Sequence, residues 1–229
     1  MAVGLQDDET ALRSAIVAAA QQMSASGLSP GRSGNVSCRY GDGILITPSA
    51  MPYDDMTPRD VVQIDREGIA TDPSQTPSSE WRFHIAAFDA QTEARALVHT
   101  HSLHATALAC TRRPIPAFHY MVAVAGGNEI PLAPYALFGS EALAEAVGEG
   151  LARHRACLLA NHGVVAVGKT PDEALALAQD VETLAHQYAI ACQFDAPVIL
   201  SDVEMRRVHR RFATYGKPST NRQTRNGDA

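Results

Sequence analysis

The sequence predicts a single α/β domain in which a mixed β-sheet is covered by helices. Three observations carry this. The chain has 229 residues, 45% of them hydrophobic, which is enough to bury a sizeable core and excludes wholesale disorder. Short strand-like runs alternate with longer runs of helical period, with hairpins between them. No internal repeat, low-complexity block or Pro/Gly/Ser-rich linker divides the chain, so one domain is expected over 1–216, with a loose tail over 217–229 that is rich in Ser, Thr, Asn and Arg.

The elements follow in order. Leu12, Ile16, Ala19 and Met23 recur at helical spacing, so a first helix runs from about Asp8 to Ser26, stopped at Gly27. A polar loop, Pro30–Asn35, leads into Val36–Tyr40 and Ile44–Thr47, a hairpin around Gly41-Asp42-Gly43. Thr57-Pro58 places an N-cap before a proline and predicts a short helix there. Val61–Asp65 reads as a strand. Ser79 caps a helix to about Ala90. A strand at Ala96–Thr100 and a helix at Ser102–Cys110 come next. An irregular stretch bracketed by Pro114, Pro116, Pro131 and Pro134 precedes a helix capped by Ser140 and running to about Arg153. Cys157–Ala160 and Val164–Val167 are strands, Thr170-Pro171 opens a long helix to Phe194, and Ser201 or Asp202 caps a last helix to about Tyr215.

Charge and composition exclude several classes of function. Lys plus Arg number 19 and Asp plus Glu 25, a net charge of −6. That balance argues against electrostatic capture of nucleic acid or of an anionic membrane. No transmembrane run is expected, and MAVGLQDDET has neither a basic nor a long apolar leader segment, so the expected location is the cytoplasm. Cys38, Cys110, Cys157 and Cys192 are scattered with no C-x-x-C pair, and read as small apolar core residues with reduced thiols.

One constellation carries chemistry. His99-Thr100-His101 ends the apolar strand Ala96–Val98, and residues two apart on a strand share a face, so both imidazoles can reach one ion. His162 lies in Asn161-His162-Gly163 between two strands, where Gly163 permits a tight turn. Glu80 stands in the first turn of a helix, directly after two serines. Three neutral imidazoles and a carboxylate make a tetrahedral zinc set, and a displaceable fourth ligand is a catalytic arrangement. The remaining histidines are weaker candidates: His84 as a packed residue or a neighbour of the site, His104 on the following helix, and His154, His186 and His209 as solvated helical residues.

Pro77–His84, Val98–His101, His119-Tyr120-Met121, Ala125–Asn128, Pro134–Ala136 with Phe138-Gly139, and Asn161–Gly163 together resemble the zinc-dependent class II aldolases of the L-fuculose-1-phosphate aldolase type, from about Gly27 to Tyr215. The resemblance implies a three-layer α/β/α fold with a largely antiparallel central sheet. It also implies one Zn2+ per subunit on Glu80, His99, His101 and His162, with Glu80 the base. Gly34, Asn35, Ser49, Ser78 and Ser79 fall where the family holds a substrate phosphate. Tyr120 matches a proton-donating tyrosine contributed by a neighbouring subunit, and Tyr215 a second tyrosine that closes over the site. Phe138 matches the wall around the aldehyde. A homotetramer with active sites between subunits follows from the same resemblance, the apolar Phe118–Ala125 segment serving as interface. One departure stands out: Ser49-Ala50 replaces the family's Thr-Gly.

The chemistry fits these roles. Breaking the C3–C4 bond of a ketose 1-phosphate leaves negative charge that needs an electrophile, and zinc on neutral histidines keeps its positive charge. A carboxylate beside it can move the C3 proton, and a tyrosine suits proton transfer at the C4 oxygen. Hydroxyls and main-chain N–H groups ahead of a helix suit a phosphate. His119, next to Tyr120 on an extended segment, is expected to point to the opposite face and to be structural. The leading reading is a lyase releasing dihydroxyacetone phosphate and an aldehyde. A pentulose-phosphate 4-epimerase, a methylthioribulose-1-phosphate dehydratase and a non-catalytic binding module of the same fold are the alternatives. Glu80 favours the aldolase over epimerases, which resemble Ser-Ser-Asp at that place. The match through His119–Gly127 favours carbon–carbon cleavage over dehydration, and the complete ligand set favours an enzyme over a module.

Overall fold

A computed structural model describes residues 8–214 of the protein; Tyr215 and the tail 217–229 lie outside the described residues. Helix α1, Glu9–Ala25, is capped by Asp8, whose carboxylate accepts from the Thr10 N–H at 3.0 Å. The hairpin strands β1, Asn35–Tyr40, and β2, Gly43–Ile46, pair antiparallel, and β3, Val62–Ile64, adds to β2. Helix α2 spans Trp81–Ala90, strand β4 Ala96–Thr100 and helix α3 Leu103–Cys110. After the two-residue strand β5, Leu132–Ala133, helix α4 occupies Glu141–Leu151, capped by Ser140 Oγ accepting from Leu143 N at 3.2 Å. Strands β6, Ala156–Leu159, and β7, Gly163–Gly168, lead to α5, Pro171–Phe194, and α6, Asp202–Thr214. Thr170 caps α5, its Oγ1 accepting from Glu173 N, while the Glu173 carboxylate reaches one residue further back and accepts from Lys169 N.

Among the described residues the sheet has seven strands in the order β3-β2-β1-β4-β7-β6-β5, antiparallel throughout except for the β5–β6 pair. Alternate strand residues feed two cores. Val36, Cys38, Ala96, Val98, Val164 and Ala166 pack with α1, α3 and α5, while Ile44, Ile46, Leu97, Val165 and Val167 pack with α2 and α4. The fold is therefore the expected three-layer α/β/α domain. Phe83 and Phe88 of α2 are fully buried in the second core, each contributing about 1.5–3 kcal/mol of transfer free energy. Strand β4 is the central strand, and His99 continues the alternation that points Leu97 toward α2.

Five local expectations need correction. Thr57-Pro58 opens a single turn rather than a helix: Asp60 N donates to the Thr57 carbonyl, its carboxylate accepts from the N–H and hydroxyl of Thr57, and the chain enters β3 at Val62 before a second turn can form; the 3₁₀ helix lies earlier, at Tyr53–Asp55. Helix α2 begins two residues after Ser79, with Glu80 at its N-cap. Residues 120–125 form a 3₁₀ helix, so His119 does not oppose Tyr120: its ring stacks beside the tyrosine at 4.7 Å, and its Nδ1 accepts from Met121 N. His119 is structural, as expected, by capping this turn. Of the four thiols only Cys38 and Cys157 are core residues, while Cys110 and Cys192 are exposed; none is in a disulfide. His154 lies in the loop after α4 rather than on a helix.

Candidate metal centre

Parity on β4 does what the sequence implied. His99 and His101 bring their Nε2 atoms to 2.9 Å of each other at the end of the central strand. His162 joins them from the β6–β7 turn, its ring centroid 4.9 Å from that of His99 and 5.0 Å from that of His101. The left-handed residue of that turn is Asn161, at φ 55°, and not Gly163. Gly163 is needed for close approach: a Cβ there would sit 2.3 Å from the Thr100 carbonyl oxygen and 2.9 Å from His101 Cδ2. Glu80 arrives from the N-cap of α2. Its side chain makes no cap hydrogen bond and turns to the histidines, with Oε2 3.3 Å from His99 Nε2 and Oε1 3.0 Å from His162 Nε2.

The donor set fits a divalent cation. One ligand atom from each of Glu80, His99, His101 and His162 lies within 4.8 Å of the others, and tetrahedral zinc with bonds near 2.0–2.1 Å spaces its ligand atoms by roughly 3.3 Å. His99 is fully buried, and desolvation, outweighing the attraction of Glu80, pushes its pKa down to about 3. It is therefore neutral, and its one N–H, on Nδ1, reaches the Val164 carbonyl at 2.9 Å. Its Nε2 lone pair then faces the other donors. Burial likewise lowers His101. Glu80 is held ionised: burial alone would raise it, but the His99 and His162 imidazoles and the hydrogen bond from Asn35 outweigh that and hold it at about 2. Glu80 Oε1 is buried with no hydrogen-bond partner. A buried carboxylate oxygen with no well-formed hydrogen bond, 3.0 Å from His162 Nε2 and beside the neutral His99, is the arrangement a cation satisfies.

The centre opens into a cleft of about 350 Å3. Gly34, Asn35, Ser49, Ser78, Ser79 and Phe138 all line it together with Glu80, His101 and His162. The antiparallel bridge between Pro48 and Pro77 brings the Ser49 and Ser78 loops side by side. The N–H groups there are less free than their place before a helix implied: Ser78 N donates to the Thr47 carbonyl and Ser49 N to the Thr76 carbonyl. Ala50, where the family pattern has glycine, keeps a left-handed φ of 60°, and Arg32 holds its carbonyl at 2.8 Å. Arg32 also lines the cleft, as do Tyr135 and Asn161. Sequence reasoning missed Arg32, although a lone cation inside a Gly-rich loop was the available signal.

A model of the class II aldolase and adducin N-terminal domain matches residues 14–189. The chain belongs to the class II aldolase family. It is 48% identical over 206 residues to a 5-methylthioribulose-1-phosphate/5-deoxyribulose-1-phosphate aldolase of Rhodospirillum rubrum, covering 90% of this chain and 93% of that one. It is 47% identical over 196 residues to an L-fuculose phosphate aldolase of Escherichia coli, covering 85% and 91%. A solved L-fuculose 1-phosphate aldolase superposes with a TM-score of 0.86 at 32% identity, over 92% of this chain and all of the other. The chain is thus an aldehyde-lyase of the class II aldolase family, with a metal-binding constellation.

Tyr120 is not part of its own chain's cleft. It is half-exposed, packed between His119 and Phe212, whose ring centroid lies 6.3 Å away. The apolar side chains around it turn inward: Val122, Ala123 and Ala125 are buried, which leaves Tyr120 as the exposed aromatic of that segment. Tyr215 lies outside the described residues. Among the described residues no helix is long and apolar enough to cross a membrane.

Proposed function

We propose that this class II aldolase reversibly cleaves a ketose 1-phosphate into dihydroxyacetone phosphate and an aldehyde, with zinc as its metal and Glu80, His99, His101 and His162 as ligands. L-Fuculose 1-phosphate and the 5-deoxy- or 5-methylthio-ribulose 1-phosphates, the compounds in its relatives' names, define the substrate range. The observation that carries the reading is the single cleft shared by the metal constellation, the serine and glycine loops and Phe138. When bound, the metal supplies Lewis-acid stabilisation of the charge developed on the substrate oxygens.

The chain's own residues do the rest. Ser49, Ser78, Ser79, Gly34 and Asn35, with Arg32 at the rim, hold the phosphate and so anchor the three-carbon portion beside Glu80. In the direction of addition Glu80 takes the C3 proton. Tyr120 of a neighbouring subunit gives a proton to the new C4 oxygen, and in cleavage both transfers run backward. Phe138 and Tyr215 bound the aldehyde end. The exposure of Tyr120, away from its own cleft, supports a shared site in a homotetramer. Free thiols support a cytoplasmic setting. The test is condensation of dihydroxyacetone phosphate with lactaldehyde, glycolaldehyde, acetaldehyde and a methylthio-aldehyde by the zinc-loaded protein. Condensation with at least one, abolished by chelation and restored by zinc, is expected. Condensation with none of the panel would overturn the reading.

A further inference from the structure

Four polar side chains are buried together in the layer between the sheet and α2: Asn35, Ser37, Glu80 and His84, none more than 6% exposed. They arise from two periodicities. Asn35 and Ser37 lie two apart on β1, on one face, and Glu80 and His84 lie four apart at the start of α2. The two pairs interleave into one chain. Ser37 Oγ lies 2.7 Å from His84 Nδ1, His84 Nε2 lies 2.5 Å from Asn35 Oδ1, and Asn35 Nδ2 lies 3.0 Å from Glu80 Oε2.

The direction of every proton in this chain follows from its two ends. Glu80 is ionised and only accepts, so Asn35 must present its NH₂ to Oε2 and its oxygen to His84. His84 is fully buried in apolar surroundings, stacked on Phe83 at 4.7 Å, and neutral. It carries one N–H, which must be on Nε2 to meet the Asn35 oxygen. Its Nδ1 is then an acceptor, and Ser37 donates to it. The reverse amide orientation would set the Asn35 oxygen against a carboxylate.

We propose that Ser37, His84 and Asn35 form a directional positioning relay that pins Oε2 of Glu80 and leaves Oε1 as the oxygen presented to the metal and the substrate proton. Oε1 is the atom without a hydrogen-bond partner, and it faces His162. A carboxylate that would both hold a metal and accept a proton is best served by one oxygen held fixed while the other faces the cleft. The relay supplies that hold from inside the core, where no substrate can reach it. It also limits Asn35 at the phosphate end to its second amide hydrogen and its main chain. The proposal rests on Glu80 acting as the base.

The experiment compares His84→Gln with His84→Leu in the zinc-loaded enzyme. The glutamine amide nitrogen stands near the place of Nε2 and still donates to Asn35, whereas leucine keeps the bulk and removes the donor. His84→Leu should lower the rate of C3 proton exchange of dihydroxyacetone phosphate about 10–100-fold at unchanged KM and zinc content, while His84→Gln should stay within about threefold of the parent. Equal rates in the two variants, or a loss that appears in KM alone, would overturn the relay. A second measurement needs no turnover: in the metal-free protein the ¹⁵N shifts of His84, assigned by their absence in His84→Gln, should report the neutral Nε2–H tautomer at pH 7. An Nδ1–H tautomer or a charged ring would overturn it even if His84→Leu does not fold. A parent protein inactive toward every aldehyde but showing the Nε2–H tautomer would fault the proposed reaction and not the relay.

Discussion

Gly163→Ala should damage the metal centre through one methyl group. The added carbon would stand 2.3 Å from the Thr100 carbonyl oxygen, 2.9 Å from His101 Cδ2 and 3.3 Å from His99 Cε1. An ordinary carbon–oxygen contact is about 3.3–3.6 Å, so the β4–β7 pair must open by about 1 Å. Thr100 is a backbone neighbour in the paired register Thr100↔Val164, in the middle of the sheet, so it cannot simply swing aside. Over-packing of this kind costs about 1–3 kcal/mol, or a fall in Tm of about 2–12 °C at this chain length. The functional cost is larger, because a misplacement of about 1 Å at a reacting centre costs about 100-fold in rate. Gly148→Ala is the control. Its methyl would meet Ala86 atoms at 3.7 and 3.9 Å, ordinary contacts, and the site is inside α4, where alanine should stabilise by about 0.5–1 kcal/mol. Thermal unfolding, zinc content after dialysis and kcat are measured on both variants. A folded Gly163→Ala protein with parental zinc content and parental kcat would refute the close-approach account of this glycine.

Other outcomes follow from the same geometry. His99→Ala should lower zinc content and activity together, by at least about tenfold, and a metal-free variant with full activity would remove the site. Mixing inactive Glu80→Gln and inactive Tyr120→Phe chains should restore activity in hybrid assemblies; hybrids that form and stay inactive would count against a site shared between subunits. Ala50→Gly should relieve a left-handed alanine at φ 60° and stabilise by up to about 1 kcal/mol in urea unfolding, a lower midpoint being the contrary result. In the metal-free protein burial pushes the His84 and His99 imidazoles from an ordinary value of 6.5 down to about 3. The unfolded state therefore binds more protons between those values, and stability falls as pH drops through that window, by up to roughly 3 kcal/mol per pH unit if both contribute fully. A urea midpoint independent of pH from 6.5 to 4 would show that these rings are not buried neutral.

What was legible in the sequence was periodic. His99 and His101 on one face of β4, the caps at Asp8, Ser140 and Thr170, and the hairpin at Gly41–Gly43 are all set by residues within a few positions of one another. What was illegible depended on where the chain goes next and on partners outside the local pattern. Thr57-Pro58 looked like a helix start, but its one turn runs straight into β3 at Val62. Ser79 looked like a cap, but Glu80 takes the cap position while its carboxylate is drawn toward His99 and His162. The role of His84 needed Asn35, which is 49 residues away. All four cysteines looked like core residues because their type usually is, and no local pattern places Cys110 and Cys192 on the outward sides of α3 and α5.

The placement of the parts bears on how one fold serves several substrates. The candidate metal donors sit on the central strand, at the cap of α2 and in the β6–β7 turn; Glu80 and His99 are buried, His101 and His162 partly so, and Gly163 ties the turn closely against the strand. The walls of the cleft are different: Arg32, Ser49, Ser79, Tyr135 and Phe138 are exposed residues on loops. Loops tolerate change that the core does not. Two relatives of nearly equal identity, 48% and 47%, carry the names of different sugar phosphates, so identity over the whole chain does not select the aldehyde. Selection then falls to the exposed wall. Tyr135 and Phe138 are its large apolar side chains, so changes at these two positions should alter the ranking of aldehydes while leaving C3 proton exchange, which needs the buried donors and the phosphate loops, at its parental rate.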